Sequence, residues 1–372
     1  MRLHCDGMSA KELPTAPPTS IARAGLRAYQ LALRAAERAL PAEFALLLKI
    51  AAFSTTQLLH VAAKFRVADH LDAGPRTGAE LAVLTGANED ALYRAMRALI
   101  SEGVFAFDES GRFVNNRLSD TLRSGVIASM RDTADYFGSR SNVQAWADID
   151  ETMRTGEPGF NRVHGMSCWD WFSKHPDEGE VFAGAMTSLT EQSAKQISTG
   201  YNFGQHGVVC DIAGGRGTLL SEVLREHRSC RGMLFDAGYV LDLAAPYLRE
   251  RGVFDRVDRV AGSFFESAPK GADLYMMKDI LHDWDDERSL TILRNIRTAM
   301  RPGAHLLLAE FLVEDRTTLM PGPFIDVHMM MATDGGRQRS EHEFGALLTQ
   351  TGFRPIKTHP CAAISLVEAM AV

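Results

Sequence analysis

Across residues 21–200, Ala, Leu and Arg recur at three- and four-residue spacing, most regularly in 22–40 and 43–65, and Pro41 separates these two segments. That periodicity predicts a mostly helical N-terminal half. Within it, Thr77 is placed to cap a helix over 78–84, Asn88 to cap one over 89–102, and 104–107 to pair with 112–115 across Asp108, Glu109, Ser110 and Gly111. Helix, turn, helix and β-ribbon in that order describe a winged-helix unit. Past residue 200, short β-branched or aliphatic runs (207–212, 232–235, 259–261, 272–277, 305–309, 364–370) alternate with helical segments (219–227, 240–250, 286–300, 341–351). Such alternation predicts a mostly parallel sheet with helices on both faces, where ligands bind beyond the carboxyl ends of the strands. The expected division is a flexible leader over 1–20, an all-α, winged-helix-containing domain over 21–195 and an α/β domain over 196–372.

The 372 residues carry 40 Lys and Arg against 47 Asp and Glu, a net charge of −7. No basic excess is available to displace counterions from nucleic acid. The winged segment 61–125 itself holds eight basic and nine acidic residues, so a structural or dimerising role is expected over DNA reading. Cys5, Cys168, Cys210, Cys230 and Cys361 show no C-x-x-C spacing, which predicts free thiols in a reducing compartment. The apolar stretch 44–53 is interrupted by Lys49 and falls short of the roughly 20 residues of a bilayer span. Residues 1–20 contain no apolar signal core, so no membrane segment and a cytoplasmic location are expected.

The first strand of the α/β half ends in Asp211-Ile212-Ala213-Gly214-Gly215-Arg216-Gly217 and runs directly into a helix. Glycines there let the backbone turn sharply and approach a ligand. Leu220 stands where a dinucleotide fingerprint needs a small residue, and is expected to obstruct close helix–strand packing. The acid at the strand end, Asp211, points instead to an S-adenosylmethionine loop. Asp236, ending the second strand, is placed to accept both ribose hydroxyls.

The glycine loop, Phe235-Asp236, Gly262-Ser263-Phe264-Phe265, Leu281-His282-Asp283-Trp284, Arg301-Pro302-Gly303 and Gly335-Gly336-Arg337 follow one another in an order that resembles the caffeate/hydroxyindole O-methyltransferase family, including its bacterial natural-product members. The resemblance runs from Thr56 to the C-terminus. It implies a homodimer with a helical dimerisation domain, a Rossmann-like domain and S-adenosylmethionine bound by Asp211, Gly214, Gly215, Asp236, Ser263, Phe264 and Lys278. It also implies a small phenolic, aromatic or polyketide acceptor.

Methyl transfer from a sulfonium needs alignment of donor and acceptor and one base; a phenol of pKa about 10 is mostly protonated at neutral pH, and an imidazole of pKa about 6.5 can take its proton as the oxygen attacks. His282, after the fourth strand, matches the family's base, and Glu310, after the strand 305–309, matches one of its two orienting acids. The other acid is replaced by Gln338, and Ser263 stands where the family often has Asp facing the adenine. His282, Asp283, Asp285 and Asp286 have the composition of a hard-metal site, but the carboxylates begin a helix and suit its dipole, so no metal is assigned. Met186, Asp283, Trp284, Phe324, Met329 and Met330 fall in segments that line the acceptor pocket in the family. The loss of charge at 338 keeps open an alternative in which the fold uses S-adenosylmethionine without methyl transfer, for hydroxylation or rearrangement. A winged-helix regulator is the third reading.

Overall fold

A computed structural model describes Leu13 and residues 17–316 and 321–372. Most of the expected leader, and Cys5, lie outside the described residues, among which Cys168, Cys210, Cys230 and Cys361 are buried and form no disulfide. The chain divides into two compact units. One comprises Ala24–Leu189 with Val327–Gly335, and the other Thr190–Asp326 with Gly336–Val372 and the residues up to Arg23. A single boundary after residue 195 does not anticipate the return of Val327–Gly335 to the helical unit. That segment is held there by packing: His328 lies edge-on to Tyr136 and stacked over Trp146, and a Cβ on Gly159 would come within 2.7 Å of Met331 Cε.

In the helical unit, Thr77 and Glu80 form a reciprocal capping box, with the Glu80 N–H donating to Thr77 Oγ1 at 3.2 Å and the Thr77 N–H to Glu80 Oε2 at 2.7 Å. Asn88 Oδ1 accepts from the Ala91 N–H and starts the following helix, Glu89–Ser101. Strands β1 (Ala106–Phe107) and β2 (Phe113–Val114) pair antiparallel as the wing, which Arg76 extends by bridging to Phe113. Val67, Leu81, Leu92, Met96, Leu99, Phe105 and Phe113 fill the core beneath.

Helix α1 (Thr19–Arg38) buries no residue, and α2 (Ala42–Lys64) buries only Ala62 and Ala63. Between them Tyr29, Leu31, Leu47, Leu48, Ile50 and Phe53 stand more than half exposed. The helix expected over 43–65 is present as α2, and although the apolar stretch 44–53 is expected to fall short of a bilayer span, the whole helix is by length and composition long and apolar enough to cross a membrane.

The other unit is built on a seven-stranded sheet. Its strands are β3 (Val208–Ile212), β4 (Arg231–Asp236), β5 (Val257–Ala261), β6 (Leu274–Lys278), β7 (His305–Glu310), β8 (Phe353–Cys361) and β9 (Ile364–Ala371), in spatial order β5-β4-β3-β6-β7-β9-β8. The first five are parallel and β7–β9–β8 antiparallel, so the fold is a Rossmann-like α/β sheet. The order reverses between β3 and β6, the point at which open α/β sheets bind ligands beyond the strand ends. Strand β8 is absent from the hydrophobic pattern because it is an edge strand, largely exposed and interrupted by Pro355 and Pro360, with an irregularity between Pro355 and Lys357. Leu220 does not obstruct the helix after β3. It is fully buried over Gly232 of β4, where an added Cβ would lie 3.0 Å from Leu220 Cδ2, so the glycine on the neighbouring strand supplies the room.

Candidate active site

The carboxyl ends of β3, β4, β5, β6 and β7 carry most of the candidate residues. Asp211 on β3 is fully enclosed, and its Oδ2 has no hydrogen-bond partner. Burial, with the negative charge of Asp236 second, pushes its pKa up to about 8. The backbone turns over it at Gly214, where a Cβ would come within 2.6 Å of the Asp211 carboxyl and 2.5 Å of Leu234. Only glycine fits there.

Asp236 at the end of β4 receives the Gly215 N–H on Oδ2 at 2.8 Å and the Ala237 N–H on Oδ1 at 2.7 Å, so the glycine loop is tied to the strand-end acid. Burial raises its pKa, and the two N–H donors oppose the rise. The Gly262 N–H donates to the Asp236 carbonyl at 3.1 Å, which brings the β5 turn alongside. Ser263 anchors that turn by accepting the N–H of Glu266 and of Ser267 on its carbonyl. Phe264 and Phe265 follow, and Phe265 packs edge-on against Trp284 at 4.8 Å, with Phe264 at 6.1 Å. Trp284 is therefore buried against these two phenylalanines. Lys278, the last residue of β6, does not present a free ammonium: it is ion-paired with Asp279.

His282 lies in a short 3-10 turn after β6 and is 7% exposed. Its Nδ1 faces the Gln338 amide, with Nε2 of Gln338 at 2.8 Å, and Glu310 Oε2 lies 3.5 Å away. Asp283 Oδ1 is 3.5 Å from Nε2. Burial pushes the imidazole pKa down to about 4, with Lys278 and Arg339 acting in the same direction and Asp279 against it. Glu310 is wholly enclosed: its Oε1 accepts the N–H groups of Ile280 and Leu281 at 3.2 and 3.0 Å, and burial followed by the Asp279 charge raises its pKa. Asp283 is shifted the same way by burial, Glu310 and Asp279.

Two residues outside the expected set shape this turn. Arg339, 1% exposed, donates to the carbonyls of Leu281 at 2.7 Å and Trp284 at 2.8 Å and binds Asp286, while the Arg337 N–H donates to the His282 carbonyl. The Gly-Gly-Arg-Gln-Arg segment signalled it, but as a motif without a geometric role. The second is Asp279, whose polar atoms lie within 4.8 Å of those of His282 and Glu310. The carboxylates weighed as a metal set are engaged elsewhere, Asp285 capping the helix Asp286–Ala299 and Asp286 holding Arg339. We assign no ion to Asp279, His282 and Glu310 either, since Nδ1 faces Gln338 and Asp279 takes the Lys278 ammonium.

The expected acceptor-lining residues are divided between the units: Asp283, Trp284 and Phe324 in the sheet unit, Met186, Met329 and Met330 in the helical one. Phe324 is exposed, Met329 buried, and Met186 and Met330 half-buried. In the helical unit His328 sits among Tyr136, Phe137 and Trp146, with the Tyr136 hydroxyl 3.4 Å from its Nε2. This aromatic group was invisible in sequence because its members lie nearly 200 residues apart.

Residues 146–354 match the O-methyltransferase domain and residues 48–125 the O-methyltransferase dimerisation domain. The chain is 38% identical over 332 residues to the phenazine O-methyltransferase PhzM of Lysobacter antibioticus, covering 89% of this chain and 97% of that protein. Among solved structures it is similar to LaPhzM, with a TM-score of 0.87, 38% identity and coverage of 90% and 100%. It is also similar to NcsB1 of neocarzinostatin biosynthesis, solved with S-adenosylmethionine and 2-hydroxy-5-methyl naphthoic acid, with a TM-score of 0.74, 32% identity and coverage of 86% and 96%.

Proposed function

The chain belongs to the S-adenosylmethionine-dependent O-methyltransferases that carry a dimerisation domain, and from that premise we propose that it methylates a hydroxyl of a small multi-ring aromatic metabolite, with His282 taking the hydroxyl proton. It is an enzyme of the general class that acts on small aromatic or polyketide metabolites, and S-adenosylmethionine is its cofactor. The similarities reach the bacterial natural-product members and do not single out a caffeate or hydroxyindole subtype.

The residues present fit that cofactor. A glycine turn that no Cβ could enter, a strand-end carboxylate at Asp236 and the enclosed, unpartnered Asp211 Oδ2 lie at one edge of the sheet. Asp236 would hold the ribose, Gly214 and Gly215 would let the backbone approach, and Ser263 and Phe264 would border the adenine. Lys278 enters this reading through its pairing with Asp279 and its charge near Asp211. When bound, S-adenosylmethionine supplies a methyl group on a sulfonium, already activated for in-line displacement.

The observation that carries the reading is the placement of His282, buried at the carboxyl end of β6 with Nδ1 held by Gln338 and Glu310 nearby. A buried imidazole held neutral at physiological pH is able to accept a proton as the acceptor oxygen attacks. The support for a fused-ring acceptor is the phenazine and hydroxynaphthoic acid of the relatives, together with the aromatic side chains around His328. The exposed faces of α1 and α2 support a homodimer in which a second copy, rather than a membrane, covers them, and we place the protein in the cytoplasm.

The test is incubation of the purified protein with methyl-labelled S-adenosylmethionine and a panel of hydroxyphenazines, hydroxynaphthoates and simple phenols. Label incorporated at oxygen supports the reading. Conversion of an acceptor without label would favour the hydroxylating or rearranging alternative.

A further inference from the structure

Strand β6 ends at Lys278, and Asp279 takes a φ of +53°, a left-handed conformation that Asp and Asn tolerate better than other side chains bearing a Cβ. Its N–H donates to the Ala309 carbonyl at 3.0 Å, which fixes the turn against β7. The carboxylate is ion-paired with Lys278 through Oδ2, and Oδ1 is buried with no hydrogen-bond partner. In this position Asp279, His282 and Glu310 bring their polar atoms within 4.8 Å of one another.

Every charged or titratable group facing the imidazole bears on what Asp279 does. Gln338, on Nδ1, is neutral by its chemistry. Glu310, on β7, is fully enclosed with Oε2 3.5 Å from the ring Nδ1, and burial and Asp279 drive it toward its protonated form while Arg339 opposes the shift. Asp283, on the Nε2 side, is driven the same way. Lys278 and Arg339 are the nearby cations, paired with Asp279 and Asp286 respectively, and both oppose a charge on the ring. Asp279 is the carboxylate of this group whose charge is held by an ion pair and set against the ring.

We propose that Asp279 is a positioning residue that supplies His282 with the negative charge position 338 lacks; this rests on the reading of His282 as the base. The anion stabilises the imidazolium that forms when the acceptor loses its proton, from the end of β6 rather than from the segment that carries position 338.

The experiment follows the His282 ring by NMR as a function of pH, its signal identified by loss in His282→Ala. Gln338→Glu should raise the titration midpoint into an accessible range, and adding Asp279→Asn should lower it again by about one pH unit, the shift a nearby carboxylate confers. Asn keeps the left-handed turn and an oxygen for Lys278, so the fold is retained. In turnover, Asp279→Asn alone should lower kcat for a weakly acidic phenol about tenfold, with Gln338→Glu restoring most of the loss. A midpoint that Asp279→Asn leaves unmoved overturns the proposal, even if the rate falls. A wild-type protein that transfers no methyl group defeats the functional reading instead, and the ring titration still decides the role of Asp279.

Discussion

The Gln338 side-chain amide lies 2.8 Å from Nδ1 of His282, and both residues are buried. With Nε2 of the amide toward the ring, Nδ1 must accept, which leaves the ring proton on Nε2 and Gln338 Oε1 without a partner. A half-turn of the amide reverses both: Oε1 accepts from Nδ1–H, and Nε2 of His282 becomes the free base. Proton abstraction therefore requires the second orientation, which also satisfies the buried oxygen.

From this pairing, His282→Ala is expected to lower kcat by about 10² to 10⁴ for a neutral phenol while S-adenosylhomocysteine binds with nearly unchanged affinity by calorimetry. The loss should shrink above the pH at which the acceptor ionises unaided. Because burial pushes the imidazole down to about 4, the base is unprotonated across the neutral range, and kcat/KM should hold level from neutrality down to the region of pH 5. A rate that falls through pH 6.5 would show an unshifted histidine. Gln338→Leu, which cannot select a tautomer, should cost about tenfold or more in kcat at constant donor affinity.

Donor binding should depend on Asp236, which already orders the loop through the Gly215 N–H. Asp236→Ala is expected to weaken S-adenosylhomocysteine binding at least tenfold, about the 1.5–3 kcal/mol of a hydrogen bond to a charged group. Unchanged affinity in calorimetry would remove Asp236 from the site.

Asp211 makes the donor-free protein sensitive to alkali. Its folded pKa is raised to about 8, above the ordinary 3.8, so the native state keeps a proton that the unfolded chain has released across that interval. By linkage its contribution is fully present below about pH 4 and is lost as pH rises through about 8. Melting temperature in the absence of donor should drop between pH 6 and about 8.5, and Asp211→Asn should flatten the drop, on the order of 2 kcal/mol. Parallel curves for the two proteins would show that Asp211 keeps no proton.

The exposed apolar face of α1 and α2 should be covered by a second chain. Light scattering is expected to give twice the 40.9 kDa chain mass, with an interface of upwards of about 2,000 Å². Leu47→Lys combined with Ile50→Lys, both positions more than half exposed, should yield monomer. A wild-type particle of single-chain mass at micromolar concentration would refute the dimer.

Local rules were enough for much of this molecule. The capping residues Thr77 and Asn88, the alternation of strands and helices, the glycine turn after Asp211 and the acid after β4 all depend on neighbours within a few positions, so they are legible in the chain itself. The positions of His282, Glu310 and Gln338 were equally legible as members of ordered motifs. What the tertiary structure decided is which groups meet and in what charge state. Leu220 packs because Gly232 on another strand lacks a Cβ, and β8 forms because β9 offers it an edge despite its prolines. Asp279 reaches His282 because a left-handed residue is pinned to β7 at Ala309. Arg339 becomes a clamp because its guanidinium is enclosed by the carbonyls of a turn some 55 residues earlier. Burial and charge at these sites are properties of contacts between distant segments, and they shift a carboxyl or an imidazole by several pH units where residue type alone fixes only the starting value.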